Sequence, residues 1–144
     1  MSQVIIGCDH AGYQLKQVVK KQLLSLGFEA EDFGTQNEES VDYPDFGTLV
    51  ARKIDKGEYE KGILICGTGL GMSMVANRFT GVRAALCNDL FSAIMSRRHN
   101  DANILVMGGR VIGSELAGEI VRTWLETPFE GGRHQKRLEK FSEF

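Results

Sequence analysis

The sequence has few of the features that mark disulfide-bonded, zinc-binding, membrane or highly charged proteins. Its 144 residues include three cysteines and two prolines, and the formal net charge is −2. Cys8, Cys66 and Cys87 are odd in number and form no CxxC pair, so neither a disulfide framework nor a zinc site is predicted. No apolar run approaches the roughly 18 residues that a membrane span needs. With so little net charge, we also expect no nucleic-acid partner and no membrane partner.

The composition is that of an ordinary globular protein, with 42% apolar and 25% charged residues. A chain of this length can bury about two thirds of its unfolded surface as one domain, which we predict over residues 1–144. The N-terminal segment has no charged region followed by a long apolar stretch. We therefore expect a cytoplasmic protein with reduced thiols.

Short apolar runs alternate with amphipathic helical patterns along the chain. The runs predict strands at residues 4–8, 28–33, 62–66, 82–87 and 104–107. Val18, Leu49 and Leu116 are among the helical residues predicted to face inward, and Ser114 is predicted to cap the fifth helix. A last, polar helix is expected over about 132–144. The alternation predicts an α/β fold with three layers, a five-stranded parallel sheet between two layers of helices.

A glycine-rich loop, Gly67-Thr68-Gly69-Leu70-Gly71, follows the third predicted strand. Such a turn leaves the first amide groups of the next helix unpaired, so they can bind an anion. Cys66 ends the strand, where those amides and the helix dipole would favour a thiolate. A base beside an oxyanion site is a catalytic arrangement.

Other interpretations of this segment stay open from the residues alone. The glycines could serve only a tight turn, and Cys66 could be a small buried hydrophobic residue, as we expect for Cys8 and Cys87. A dinucleotide site is weakened because Met72 occupies the third glycine position of G-x-G-x-x-G, although Asp89 could contact a ribose. A Walker loop is excluded because no Gly-Lys-Ser/Thr occurs.

Two pairs of residues at element ends are further candidates. Asp9 and His10 follow the first predicted strand, where they could cap the next helix or act in a site. His99 and Asn100 end a predicted helix and could form a surface pair stabilised by its dipole. Two of the three histidines lie at predicted loop edges, which makes a titrating role for at least one of them reasonable.

Three arginines form a candidate phosphate site. Arg133 and Arg137 stand four residues apart, on one face if the segment is helical, and Arg110 follows the fifth strand. Gly131 and Gly132 are expected to allow close approach. Such a basic cluster is either a solvated face or a site for phosphate, to which the guanidinium fork is well suited.

Five motifs occur in order along nearly the whole chain: Gly7-Cys8-Asp9-His10-Ala11-Gly12, Asp42-Tyr43-Pro44, Gly67-Thr68-Gly69-Leu70-Gly71, Ser96-Arg97-Arg98-His99-Asn100-Asp101-Ala102-Asn103 and Glu130-Gly131-Gly132-Arg133-His134. Together they resemble the ribose-5-phosphate isomerase B family. The resemblance implies a Rossmann-like fold, a homodimer or tetramer with the site shared between subunits, and no cofactor or metal. It also implies interconversion of ribose 5-phosphate and ribulose 5-phosphate in the pentose phosphate pathway.

The resemblance implies a role for each site residue. Cys66 would move the proton between C1 and C2, Thr68 would shuttle hydroxyl protons, and His99 would open the furanose ring as an acid. The amides from Gly67 to Gly71, including Gly69 and Leu70, would stabilise the enediolate. Sugar orientation would fall to Asp9, Tyr43 and Asn100. Phosphate would be held by His10, Arg110, Arg133 and Arg137.

One branch of the family has serine at position 66 and a glutamate base in the loop. This chain has Cys66 and Leu70, so it resembles the cysteine branch. Two alternatives stay open: an isomerase of a six-carbon sugar phosphate such as allose or galactose 6-phosphate, and a non-catalytic phosphosugar or nucleotide-binding module.

Overall fold

A five-stranded parallel sheet is the middle layer of the computed structural model, which describes residues 2–144. The strand order is β2-β1-β3-β5-β4, and the strands are β1 (Ser2–Cys8), β2 (Phe28–Asp32), β3 (Gly62–Cys66), β4 (Ala84–Leu86) and β5 (Ile104–Gly108). The predicted three-layer, Rossmann-like α/β fold is confirmed. The fourth strand is shorter than predicted, because Val82, Arg83 and Cys87 lie outside it.

Six α-helices surround the sheet, and a short 3-10 turn, His10–Gly12, precedes the first of them. They are α1 (Tyr13–Ser25), α2 (Tyr43–Asp55), α3 (Leu70–Ala76), α4 (Leu90–Arg98), α5 (Ser114–Glu126) and α6 (Arg133–Glu139). Helices α1, α4 and α5 pack on one face of the sheet, and α2 and α3 on the other. No helix within residues 2–144 has the length and apolar character needed to cross a bilayer.

Successive residues of each buried strand point into different cores, because side chains alternate across a sheet. Ile63 and Ile65 of β3 enter the core under α1, α4 and α5, whereas Leu64 and Cys66 enter the core under α2 and α3. Cys8 and Cys87 both belong to the first core. Among the three cysteines, Cys66 alone therefore faces the side from which α2 and α3 approach.

Three side chains predicted to be buried are exposed instead. Val18, Leu49 and Leu116 expose 36%, 38% and 37% of their surface. The buried stripes are therefore narrower than the predicted ones. The predicted cap of α5 is also wrong: Gly113 holds the N-cap position, and no side chain caps this helix.

The parallel strands all end at one side of the sheet, which we call the carboxyl edge. β2, the next strand in the chain, pairs with one side of β1, and β3 pairs with the other side. The strand order therefore reverses at this point, and a crevice opens between the carboxyl ends of β1 and β3. The helices run back from this edge. The segment after α4 and the segment between α5 and α6 therefore lie at the opposite side of the sheet, which we call the amino edge. Asn103, shortly after α4, accepts a 2.9 Å hydrogen bond from Gly62 at the start of β3.

Candidate active site

The loop after β3 fills the crevice at the carboxyl edge. Cys66 is 5% exposed, and Gly69 has a φ of +87°, the left-handed region that favours glycine. A Cβ on Gly69 would lie 2.3 Å from the Leu86 side chain, so no larger residue fits without rearrangement. The backbone of the loop is thus fixed by conformation and by close packing.

Most amide groups of this loop are free to bind a ligand. Leu70 donates its N–H to Thr68 Oγ1 at 3.1 Å, which leaves the Thr68 hydroxyl proton available. The other amides of the loop make no hydrogen bond as donors within residues 2–144; they belong to Gly67, Thr68, Gly69 and Gly71. Such a group of unpaired N–H donors beside a buried thiol is suited to a developing oxyanion.

The segment after β1 lies beside this loop. Asp9, 6% exposed, accepts the Gly12 N–H at 3.1 Å and so caps the 3-10 turn, while its own N–H bonds Ile65 O at 3.3 Å. His10 Nδ1 accepts the Val41 N–H at 3.2 Å. Because Nδ1 is the acceptor, a neutral His10 carries its proton on Nε2.

Two further predicted residues reach the loop. The Tyr43 ring packs on Gly71 so closely that a Cβ there would lie 2.5 Å from it. The Arg110 side chain lies over Gly67, 3.6 Å from where a Cβ would be. The structure therefore brings together a carboxyl-edge group of predicted site residues: Asp9, His10, Tyr43, Cys66, Gly67, Thr68, Gly69, Leu70, Gly71 and Arg110.

Asn88, to which the sequence assigned no role in the site, supports the loop. Its Oδ1 accepts the Gly108 N–H at 2.9 Å, and its Nδ2 donates to Thr68 O at 3.4 Å. The neighbouring residue Asp89 caps α4: its oxygens accept the N–H and hydroxyl of Ser92 at 2.7 and 2.9 Å. With its oxygens engaged in this way, Asp89 gives no support to a dinucleotide site.

A buried ion pair anchors the segment that leads to Val41. Lys16 is fully buried and donates to Asp32 at 3.1 Å and to Thr35 O at 2.5 Å. Burial alone would raise the pKa of Asp32, but the Gly34 amide and the ammonium groups of Lys20 and Lys16 lower it. No pattern in the sequence predicted this pair, since a lysine beside apolar residues of a helix is usually exposed.

The other two cysteines have surroundings that suppress thiolate formation. Burial raises the pKa of Cys8 to about 11, against a smaller opposing effect of Lys16. Burial likewise raises the pKa of Cys87 to about 11. Both thiols are therefore protonated at neutral pH, in agreement with the predicted core role of these residues.

A second, amino-edge group consists of side chains from α4, α6 and the segment before α6. The His99 ring stacks on the His134 ring with centroids 4.1 Å apart and planes inclined by 13°. Glu130 Oε1 lies 3.9 Å from His99 Nε2 and 3.5 Å from His134 Nε2. The sequence singled out His99 but assigned no role to Glu130 or His134, although their spacing of four residues was visible.

The remaining amino-edge residues are exposed. Arg133 and Arg137 lie one turn apart on α6, and Asn100 follows α4. Gly131 and Gly132 border open space, since no atom of residues 2–144 lies within 4 Å of a Cβ placed on either residue. Their positive φ angles, +69° and +57°, are the reason for glycine here.

The two groups of one chain are separated by the length of the sheet. Cys66 ends β3, whereas Asn103, just after the His99–Asn100 segment, bonds the first residue of β3. Four residue steps along a strand span roughly 13 Å. A small sugar phosphate that contacts Cys66 cannot therefore reach the His99 group of the same chain.

The donor atoms of His99, Glu130 and His134 lie within 4.8 Å of one another, as in many metal sites. The geometry does not suit a shared ion, however. An imidazole binds a metal along a lone pair in the ring plane, and two nearly parallel planes whose ring centres are 4.1 Å apart share no such point. We assign no metal to this cluster.

A cavity of 580 Å³ lies beside the amino edge and is lined by Arg83, Asn100, Leu138 and Phe141, among others. It contains none of the carboxyl-edge residues. We assign the chemistry to the loop after β3 instead, because the free amides and the buried thiol are there.

Comparison with known proteins agrees with this geometry. A sequence profile described as Ribose/Galactose Isomerase matches residues 4–141. Ribose-5-phosphate isomerase B of Escherichia coli is 48% identical over 139 residues, which cover 96% of this chain and 93% of that protein.

Solved structures of similar proteins superpose closely. A ribose 5-phosphate isomerase of Thermotoga maritima has a TM-score of 0.95 and 54% identity, covering 99% of each chain. Ribose-5-phosphate isomerase B of Mycoplasma genitalium, solved with bound ribulose 5-phosphate, has a TM-score of 0.93 and 39% identity. That match covers 98% of this chain and 94% of the other.

Proposed function

The chain belongs to the ribose/galactose isomerase family, and we propose that it is an enzyme that interconverts ribose 5-phosphate and ribulose 5-phosphate. The substrate is a sugar phosphate, and the reaction moves a proton between C1 and C2 through an enediolate. A six-carbon substrate is not favoured, since the relatives named above act on five-carbon sugar phosphates. A cytoplasmic location remains a prediction.

One observation carries the assignment of the base: Cys66 is the cysteine that immediately precedes the loop with free amides. A carbon acid needs a base at its proton and also stabilisation of the negative charge that appears on oxygen. In our proposal the Cys66 thiolate removes the C2 proton of the open aldose and returns it to C1. The amides of the Gly67–Gly71 loop stabilise the enediolate oxygen, and Thr68 carries the proton between the two hydroxyl oxygens.

Ring opening precedes this step when the substrate is the furanose. His99, as an imidazolium, gives a proton to the ring oxygen while the bond between C1 and this ring oxygen breaks. The electron pair of that bond goes to the ring oxygen. The proton of the C1 hydroxyl leaves to solvent, and C1 becomes the aldehyde carbon. Asn100, Asp9 and Tyr43 orient the sugar during these steps.

Phosphate binding uses side chains from both edges. His10 and Arg110 contribute from the carboxyl edge, whereas Arg133 and Arg137 contribute from the amino edge. Guanidinium groups suit this task because they form two parallel hydrogen bonds to a phosphate. Anchoring the phosphate away from the reacting carbons holds C1 and C2 at the base.

Because the two groups lie at opposite edges of one chain, we propose that each site combines the carboxyl edge of one chain with the amino edge of a second copy. A homodimer is the smallest assembly that allows this. The short edge strand β4 supports the idea, since it is flanked by exposed apolar side chains at Leu70, Met74, Leu90 and Phe91. Monomeric proteins rarely expose such apolar groups together.

The experiment that tests the base replaces Cys66 by alanine. We expect Cys66→Ala to lower kcat for ribose 5-phosphate by about 10²–10⁴, the usual contribution of a general base, with KM little changed. The same variant should stop exchange of the reacting proton of ribulose 5-phosphate with D₂O. Cys87→Ala is the matched control, a buried strand-end thiol that should keep near-normal turnover. Near-normal turnover of Cys66→Ala would overturn the assignment.

A further inference from the structure

His99 is held against a fixed surface. His99 directly follows α4, and its side chain is 40% exposed. Its ring stacks on the ring of His134, whose side chain is 6% exposed. The backbone of His134 is itself tied to the preceding turn by a 3.1 Å hydrogen bond to Gly131 O. An exposed histidine at a helix end can otherwise adopt several rotamers, so the stack selects one plane for the His99 imidazole.

Glu130 adds a negative charge at the same end of both rings. Its Oε1 lies 3.9 Å from His99 Nε2 and 3.5 Å from His134 Nε2, and its Oε2 lies 3.9 Å from Arg98 Nε. Its backbone N–H donates to Arg98 O at 3.1 Å, which ties the segment before α6 to the end of α4. The carboxylate therefore has a defined position beside a ring that must become cationic to act as an acid.

The surroundings of His134 disfavour its cationic form. Burial, the neighbouring His99 and Arg133 lower the pKa of His134, against a smaller opposing effect of Glu130. A neutral His134 can stack on an imidazolium without the repulsion that two cations would suffer.

We propose that His134 and Glu130 are positioning residues for His99: the His134 ring fixes the plane of the imidazole, and the Glu130 carboxylate stabilises its cationic form. Neither residue touches the reacting carbons. The proposal rests on the ring-opening role given to His99 above, and it adds the two groups that would make this role effective.

Two measurements on the same variants separate ring opening from proton transfer. Isomerisation of ribose 5-phosphate includes opening of the furanose. Exchange of the C1 proton of ribulose 5-phosphate with D₂O does not, because this ketose is already open when its enediolate forms. Comparing forward and reverse kcat/KM would not serve, since their ratio is fixed by the equilibrium constant.

We expect His134→Ala to slow isomerisation about tenfold and to leave exchange within about twofold, because only the acid is misplaced. His134→Phe retains a flat ring for stacking and should recover isomerisation to within about threefold of the wild type. Glu130→Gln keeps the shape of the side chain but loses the charge, and should resemble His134→Ala. Glu139→Gln, an exposed carboxylate on the same helix, is the control and should change neither rate.

A readout without turnover checks the stack in the free protein. The proton on Cε1 of His99 should resonate upfield in the wild type because it lies near the face of the His134 ring. His134→Ala should move this resonance downfield and His134→Phe should restore it. An unchanged resonance in His134→Ala would show that the rings do not stack in solution and would overturn the proposal.

The activity data separate the two levels of inference. If His99→Asn slows isomerisation and exchange equally, the ring-opening role itself is wrong. If His99→Asn affects isomerisation alone while His134→Ala and Glu130→Gln leave it unchanged, the ring-opening role stands and the positioning proposal is wrong. Equal loss of both rates in His134→Ala would mean a merely structural role and would also overturn the proposal.

Discussion

The two edges of the sheet are built in different ways. The carboxyl edge consists mainly of backbone: free amides, a left-handed Gly69, and a segment anchored by the buried Lys16–Asp32 pair. The amino edge consists of side chains, of which Arg133 and Arg137 are exposed. A preorganised oxyanion site requires fixed dipoles, whereas a phosphate can be held by long cationic side chains. The difference indicates that the carboxyl edge limits the proton transfer and that the amino edge limits phosphate binding.

The largest expected effect is a recovery of activity in hybrid dimers, which tests whether the two edges are halves of one site. Cys66→Ala inactivates the carboxyl edge and His99→Asn the amino edge. A hybrid dimer of the two variants has one site in which both defects meet and one site that is entirely wild type. Such hybrids, purified through two different tags, should therefore regain about half of the wild-type activity from two nearly inactive parents.

A matched hybrid makes this result specific. Cys66→Ala combined with Asp9→Asn places both defects at the carboxyl edge, so every site has one defective half and activity should stay at the level of the parents. If the hybrid with His99→Asn is equally inactive, the edges do not form a shared site. Activity in both hybrids would instead mean that Asp9→Asn does not inactivate the carboxyl edge.

The next largest effect is expected on the free energy of unfolding, in variants that break an ion pair at one edge or the other. Lys16→Met leaves Asp32 and Thr35 O without a buried partner, and we expect it to lower the free energy of unfolding by about 3–5 kcal/mol. Lys20, which also contacts Asp32, is 35% exposed, so Lys20→Met should cost no more than about 1 kcal/mol. At the amino edge, Arg98→Met should cost equally little, since its pair with Glu130 is half exposed.

Urea denaturation followed by fluorescence of Trp124, the single tryptophan and a fully buried one, measures all three variants. The comparison fails if Arg98→Met costs as much as Lys16→Met. An equal cost for Lys16→Met and Lys20→Met would mean that the carboxylate of Asp32, and not the buried ammonium, provides the stability.

Much of the carboxyl edge could be predicted from local sequence. Apolar runs show where buried strands end, and the alternating glycines after Cys66 show where amides stay free. The buried stripes of the helices were less predictable, as Val18 and Leu49 illustrate. Helical periodicity identifies a face, but the neighbouring elements decide how much of that face is covered.

The amino edge could not be predicted in this way. His99, Glu130 and His134 come from separate parts of the chain, and no period or spacing relates the first to the other two. Only the resemblance gave His99 a catalytic role, and the stack itself required the packing of α6 against the end of α4. Lys16 shows the same limitation, because a buried lysine makes sense only once Asp32 is known to lie beside it.

The smallest expected effect concerns pH, to which the two edges should respond in different windows. The lowered pKa of Asp32 means that this group stabilises the fold above its unfolded pKa of about 3.9, and that the contribution is lost as pH falls through the lower folded value. The pKa of His134 is lowered as well, so its contribution is complete above about 6.5 and is lost as pH falls below that value.

The amino edge should therefore weaken first on acidification. Between pH 7 and pH 5 the free energy of unfolding should fall in the wild type, because the unfolded chain binds a proton at position 134 more readily than the folded chain does. His134→Gln cannot bind this proton and should show a smaller slope over the same range, whereas Glu139→Gln should keep the wild-type slope. Equal slopes for the wild type and His134→Gln would mean that the proton at His134 is not disfavoured by folding, and the neutral partner required for the His99 stack would be lost.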